Sequence, residues 1–194
     1  ISDQGLVINV IGLHPKRPNR IVLGTEGDGV YISEDKGATF TRSSFGLQSM
    51  RVAAVPADPL KRNRVYAAVM FGGSASGIYS SNDGGLRWDR HNETKLPENL
   101  TLGVRREASP RFLAGTEQGF FWSEDGREWT RAEPALLPIR VDKILPYNIS
   151  RLFAATSEGV YTSKDSGKSW YRLAGSTLKA GDIAVGHLGE KRAL

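Results

Sequence analysis

The chain has 194 residues, 39% of them hydrophobic and 24% charged, with no cysteine and a formal charge of +5. This is the composition of a soluble globular domain long enough to bury a sizeable core, and it excludes disulfides and thiolate metal sites. No apolar run reaches bilayer-spanning length, and the arginines are spread rather than bunched, which speaks against a nucleic-acid partner.

The first apolar stretch covers residues 6–13. Arg20 then leads Ile21-Val22-Leu23, a Gly turn leads Gly29-Val30-Tyr31, and the segment Ser33-Glu34-Asp35-Lys36-Gly37-Ala38-Thr39-Phe40 follows, closed by Arg42. The same order returns three times. The second unit opens at 50–55 and continues with Arg64, the run 65–69, a longer turn at 71–76 and Gly77-Ile78-Tyr79. It ends in Ser81-Asn82-Asp83-Gly84-Gly85-Leu86-Arg87-Trp88 and Arg90. The third runs from 100–104 through Arg111 and Gly119-Phe120-Phe121 to Ser123-Glu124-Asp125-Gly126-Arg127-Glu128-Trp129, one residue shorter, and Arg131. The fourth runs from 139–145 through Arg151 and Gly159-Val160-Tyr161 to Ser163-Lys164-Asp165-Ser166-Gly167-Lys168-Ser169-Trp170 and Arg172. One more apolar stretch, Asp182-Ile183-Ala184-Val185, matches the opening of a unit.

Ser33, Ser81, Ser123 and Ser163 lie 48, 42 and 40 residues apart, a period that marks a repeat architecture. Each unit reads as four short strands, A to D, rich in Val, Ile, Tyr and Phe and bounded by Gly, Pro, Asn and Asp. No segment carries a capped helical period. The fold class predicted is all-β: a β-propeller of four-stranded blades at about 5–46, 47–95, 96–135 and 136–175, with 176–194 giving the first strand of a fifth. A ring uses whole blades, so the chain reads as part of a larger propeller. The alternative is a four-bladed ring with a tail. In the recurring segment, Asp accepts backbone N–H bonds, Gly supplies positive φ and Ser fixes the turn between strands C and D. The Phe or Trp then buries a large ring.

The pattern Ser-x-Asp-x-Gly-x-x-Trp/Phe resembles the Asp-box, or bacterial neuraminidase repeat. The extended unit is similar to the propellers grouped with the photosystem II assembly and stability factors, the sortilin ectodomain and the xyloglucan-hydrolysing propellers; sialidases match less well outside the box. The resemblance implies structural boxes at the blade periphery: Ser33, Asp35, Gly37 and Phe40; Ser81, Asp83, Gly85 and Trp88; Ser123, Asp125 and Trp129; Ser163, Asp165, Gly167 and Trp170. It also implies that their aspartates are not catalytic. A sialidase would need an Arg-Ile-Pro segment near its start, whereas this chain has Pro138-Ile139-Arg140, reversed and mid-chain. Similarity to exported bacterial propellers implies a secreted or periplasmic location.

Outside the boxes, the acids placed to line the channel are Asp142, Glu107 and Asp182. They form either a hydrolytic pair, at glycosidase separation, or wet, paired side chains beside Arg140 or Lys143. Arg42, Arg90, Arg131 and Arg172 should form one arc able to hold an acidic partner, or serve the repeat itself. Arg20, Arg64, Arg111 and Arg151 should form another. His14, His91 and His187 share no ligand spacing and are expected in surface turns, so no metal or cofactor is predicted. The 71–76 insertion is either a functional loop or a mobile turn. The leading expectation is a non-catalytic scaffold offering a protein or glycan partner one rigid face. The second is a fragment of a propeller glycoside hydrolase, xyloglucanase-like or sialidase-like. An acid pair beside exposed aromatic platforms would favour the second, and burial of Trp88, Trp122, Trp129 and Trp170 would weaken it.

Overall fold

The computed structural model describes residues 5–91, 96, 99–105, 112–134 and 138–184. Blade one consists of β1 (Ile8–His14), β2 (Arg17–Thr25), β3 (Val30–Ser33) and β4 (Thr41–Arg42). Blade two consists of β5 (Val52–Ala54), β6 (Val65–Val69), β7 (Gly77–Ser81) and β8 (Asp89–Arg90). Blade three holds β9 (Asn99–Val104), β10 (Phe112–Thr116), β11 (Gly119–Ser123) and β12 (Thr130–Arg131). Blade four holds β13 (Val141–Pro146), β14 (Leu152–Thr156), β15 (Gly159–Ser163) and β16 (Tyr171–Arg172). Each blade is one antiparallel sheet whose strands pair in chain order, so the all-β propeller read from the repeat is the fold.

Side chains alternate across a strand, and this alternation sorts every blade into two faces. On β6, Val65, Ala67 and Val69 join Val22, Val30, Ile32 and Trp88 in a core between blades one and two. Tyr66 and Ala68 point the other way, into a core with Phe112, Ala114 and Leu102 of blade three. Leu113 and Phe120 of blade three meet Leu152, Ala154, Tyr161 and Trp170 of blade four in a third core. The hydrophobic cores therefore lie between blades. One strand-B position in each unit must be small for this to work. A Cβ on Gly24 would stand 2.8 Å from Val52 Cγ1, and one on Gly115 would stand 2.5 Å from Val141 Cγ1, each valine belonging to the next blade.

The inner strands β1, β5, β9 and β13 pack in that sequence, and among the described residues β13 does not close onto β1 in the same way. Among the described residues both terminal faces are consequently open. On blade one, Ile11 and Leu13 are 63% and 66% exposed, and Phe40 is only half-buried. On blade four, Phe153 is half-buried and Tyr147 and Tyr171 are exposed. The chain after β16 turns back on blade four, where the Ala180 N–H donates to the Thr156 carbonyl at 2.9 Å and Lys143 pairs with Asp182. The fifth-blade strand expected at 182–185 is not formed over residues 182–184, and Val185 lies outside the described residues. An inner strand pairs only with strand B of its own blade, and no described segment supplies that partner.

Candidate functional site

The four serine–aspartate turns share one hydrogen-bond plan. The serine hydroxyl donates to the aspartate Oδ1, at 2.7 Å for Ser33–Asp35, 2.6 Å for Ser81–Asp83, 3.1 Å for Ser123–Asp125 and 2.8 Å for Ser163–Asp165. The same hydroxyl accepts the glycine N–H of Gly37, Gly85, Gly126 and Gly167 at 2.7–2.8 Å. Oδ1 then accepts N–H groups from the far side of the turn: Thr39 at 2.9 Å, Arg87 at 3.0 Å, Arg127 at 2.8 Å and Ser169 at 2.9 Å. Lys36 with Gly37, Gly84 with Gly85, and Ser166 with Gly167 all take positive φ, whereas the shortened third turn has Gly126 alone. The deletion removes one left-handed residue and leaves the rest of the plan in place.

These bonds keep the aspartates ionised. The Thr39 hydroxyl, the Thr39 N–H and the Ser33 hydroxyl hold Asp35 at about 2. The Arg127 N–H leads the lowering of Asp125. For Asp83 and Asp165 burial opposes the shift, but bonds from Ser81 and the Arg87 N–H, and from the Ser169 hydroxyl and N–H, outweigh it. Each carboxylate sits in the C–D turn of its own blade and accepts hydrogen bonds from that turn.

The two described candidate acids each pair with a cation. Asp142 is gripped by the Arg140 guanidinium through two contacts, at 3.0 and 3.2 Å. Asp182 is lowered by hydrogen bonds from Lys143 and from the Ile183 N–H. Glu107 lies outside the described residues. Trp88 and Trp170 are 2% exposed, and Trp122 and Trp129 are half-buried, so none is an open platform. Among the described residues no three His, Asp or Glu side chains cluster in a way that could hold a metal ion.

The strand-D arginines reach backbone carbonyls. Arg42 donates to Asp28 at 3.0 Å, Arg90 to Ser76 at 2.7 Å and Arg131 to Gln118 at 2.8 Å, tying strand D to the B–C turn of the same blade. Arg172 donates to Ser176 at 2.8 Å, after its own strand. Replacing Arg42 by Ala should cost no more than about 1 kcal/mol in a urea titration, because a single neutral acceptor at an exposed position is lost.

Two histidines are not in surface turns. His14 is 3% exposed, sealed under the A–B turn, with the Lys16 N–H donating to its Nδ1 and the Lys61 carbonyl 3.1 Å from Nε2. His91 is half-buried, with Nε2 2.9 Å from Ser80 Oγ. Burial pushes its imidazole down, a bond at Gly126 opposes, and Arg127 and Arg64 push it down further. The 71–76 insertion closes on itself through a 3-10 turn, Gly73–Ala75, with the Gly72 N–H on Ser76 Oγ at 2.8 Å and the Tyr79 hydroxyl on the Ala75 carbonyl at 2.8 Å. His91 also lines a groove between blades two and three, about 370 Å³ in volume, that repeat reading alone does not find. Its sequence signal is the second position of the turn, which is Glu34, Asn82, Glu124 and Lys164 in succession.

No protein-family model matches the chain, and no curated protein matches it. Solved structures match it closely in fold. It is similar to an ancestral GH74 enzyme, with a TM-score of 0.73 and 19% identity over 88% of this chain and 24% of that one. It is similar to YCF48 from Cyanidioschyzon merolae, with a TM-score of 0.60 and 16% identity over 84% of this chain and 58% of that one. YCF48 has also been solved bound to a D1 peptide. A third likeness is to the extracellular domain of a putative one-component system from B. thetaiotaomicron, with a TM-score of 0.66 and 15% identity over 94% of this chain and 25% of that one. The chain thus spans about a quarter of the GH74 and sensor chains and somewhat over half of YCF48. These likenesses place it among β-propellers, a class that holds both enzymes and binding proteins. No helix among the described residues is long and apolar enough to cross a membrane.

Proposed function

We propose that this chain is a non-catalytic propeller scaffold that holds a protein or glycan partner on one face. The observation that carries this reading is the state of the candidate acids: Asp142 is locked to Arg140 and Asp182 to Lys143. Both carboxylates are thereby engaged by cations of blade four. The YCF48–peptide complex supports a protein partner on the same fold. The four turns are proposed to be Asp-box repeats. The open faces at Ile11, Leu13 and Phe40 on one side and Phe153 on the other support four consecutive blades of a larger propeller, completed by further blades of a longer chain. Among the strand-D arginines, Arg42, Arg131 and Arg172 are exposed, and a guanidinium has further N–H donors beyond one carbonyl bond. They are the proposed partner contacts, with half-buried Arg90 continuing the arc. A secreted or periplasmic location is proposed from the extracellular neighbour.

The second reading, a fragment of a glycoside hydrolase, rests on the GH74 likeness. Incubation with xyloglucan and assay of new reducing ends, run beside peptide and glycan arrays, separates the two. The scaffold reading expects no turnover, and an array signal reduced in Arg42→Ala/Arg172→Ala. Hydrolysis that disappears in Asp142→Asn would establish the enzyme instead.

A further inference from the structure

We propose that the groove between blades two and three binds an oxyanion, a carboxylate or phosphate group, at Arg64. The repeat supplies its own control. Ile21 pairs with Ser33, and Val65 pairs with Ser81, so Arg20 and Arg64 occupy the same place, one residue ahead of that pair. In blade one, Arg20 is 4% exposed. Its Nε donates to Glu34 Oε1 at 2.7 Å and its Nη1 to the Gly84 carbonyl at 2.6 Å. Glu34 is the residue after Ser33, and its carboxylate is lowered chiefly by the hydrogen bond from Arg20.

In blade two the residue after Ser81 is Asn82, and no carboxylate takes that place. Arg64 is half-buried, its guanidinium lies 5.4 Å from the centre of the Tyr66 ring, and its Nε is buried with no hydrogen-bond partner among the described residues. Arg64 also lines the groove, and a guanidinium lying over a ring keeps its N–H donors for other partners. The carbonyl that serves Arg20 comes from the second turn. The third turn, one residue shorter, brings Arg127 to the wall, together with Ser80, Asn82 and His91. Arg90 also lines the groove, but its Nη2 is bonded to Ser76. Asp89, an acid on the same wall, is 68% exposed and 3.9 Å from Arg87. The groove therefore offers two guanidinia and an amide where blade one has an internal ion pair, with the Ser80 hydroxyl already held by His91. An oxyanion that accepts the fork of Arg64 would recreate that pair.

In blade four the same position holds Lys164, and Arg151 is exposed, so that end offers no comparable half-buried pocket.

The test is binding of inorganic phosphate and, separately, acetate, followed by thermal shift and by NMR of the His91 ring, with chloride at matched ionic strength as control. The wild type should show saturable phosphate or acetate binding, and the arm that saturates identifies the group recognised. Arg64→Gln should weaken it at least about tenfold, the loss of a charge-assisted bond. Asn82→Glu, which restores the blade-one carboxylate, should abolish binding while raising the melting temperature, so lost binding cannot be ascribed to misfolding. Shifts equal to those in chloride, or binding unchanged in both variants, would overturn the proposal.

Discussion

Trp170→Ala should remove about 3–5 kcal/mol of folding stability, while Phe40→Ala, the same position in the repeat, should remove only about 1 kcal/mol. Trp170 is 2% exposed. Its ring stacks on Phe120 of the preceding blade at 4.1 Å and 9°, and its Nε1 donates to the Gly167 carbonyl at 3.0 Å. Trp88 holds the corresponding place two interfaces earlier: a Cβ on Gly85 would lie between its ring, 3.3 Å away, and Ile32 of blade one, 2.7 Å away. The aromatic that closes each turn is thus a rivet into the blade before it. Phe40 has no described blade before it and stays half-buried beside Ile21. Removing Trp170 empties a cavity between two sheets, whereas removing Phe40 trims a surface. Against a total stability of about 5–15 kcal/mol the first change is severe. Urea titrations of both variants check this, and equal losses would mean that the ring serves its own turn rather than the interface.

That inter-blade role is the part of the architecture least legible in the chain. The turn chemistry is local, so Ser33 to Phe40 and its three relatives announce the C–D turns, and the strands follow from what lies between them. Which face a ring covers depends on a neighbour some forty residues away, and period-two alternation does not say which sheet face meets which blade. The inner strands add a second obstacle. Register shifts fall between Ile8 and Val10, Val52 and Ala54, Asn99 and Thr101, and Val141 and Lys143, at the same point of all four blades. A bulge changes the face of every residue beyond it, so assigning channel-facing acids by counting along strand A misleads. Asp142 is the residue inside the last of these shifts, between Val141 and Lys143, and meets Arg140 two residues back. His14 was illegible for a related reason: a ring at a turn reads as exposed until the chain at Lys61 is folded over it. The groove at Arg64 was legible in part. Its signal is one exchanged letter, Glu34 for Asn82, which acquires meaning only once Arg20 is seen holding the glutamate.

The fold should be stable above about pH 4 and lose stability steadily as pH falls toward 2, with the serine–aspartate turns as the groups responsible. Asp35 is lowered from 3.8 to about 2 in the folded chain, and Asp83, Asp125 and Asp165 are lowered as well. A carboxyl whose folded pKa lies below its unfolded one binds fewer protons when folded. Its contribution is complete above the unfolded value and disappears as pH falls through the folded one. The turns are exposed, so solvent screens each contribution, and the expected effect is the sum over four blades rather than one large step. Asp165→Asn isolates one turn. It keeps an acceptor for the Ser169 N–H but loses the charge and the Oδ2 bond to the Ser169 hydroxyl, 2.6 Å long in the wild type. It should cost roughly 1–2 kcal/mol at pH 7, and progressively less as the medium is acidified and the wild-type carboxylate takes up its proton. Chemical denaturation at a series of pH values gives both curves. A difference that stays constant from pH 7 to pH 2 would show that the side chain acts through shape and not through its charge.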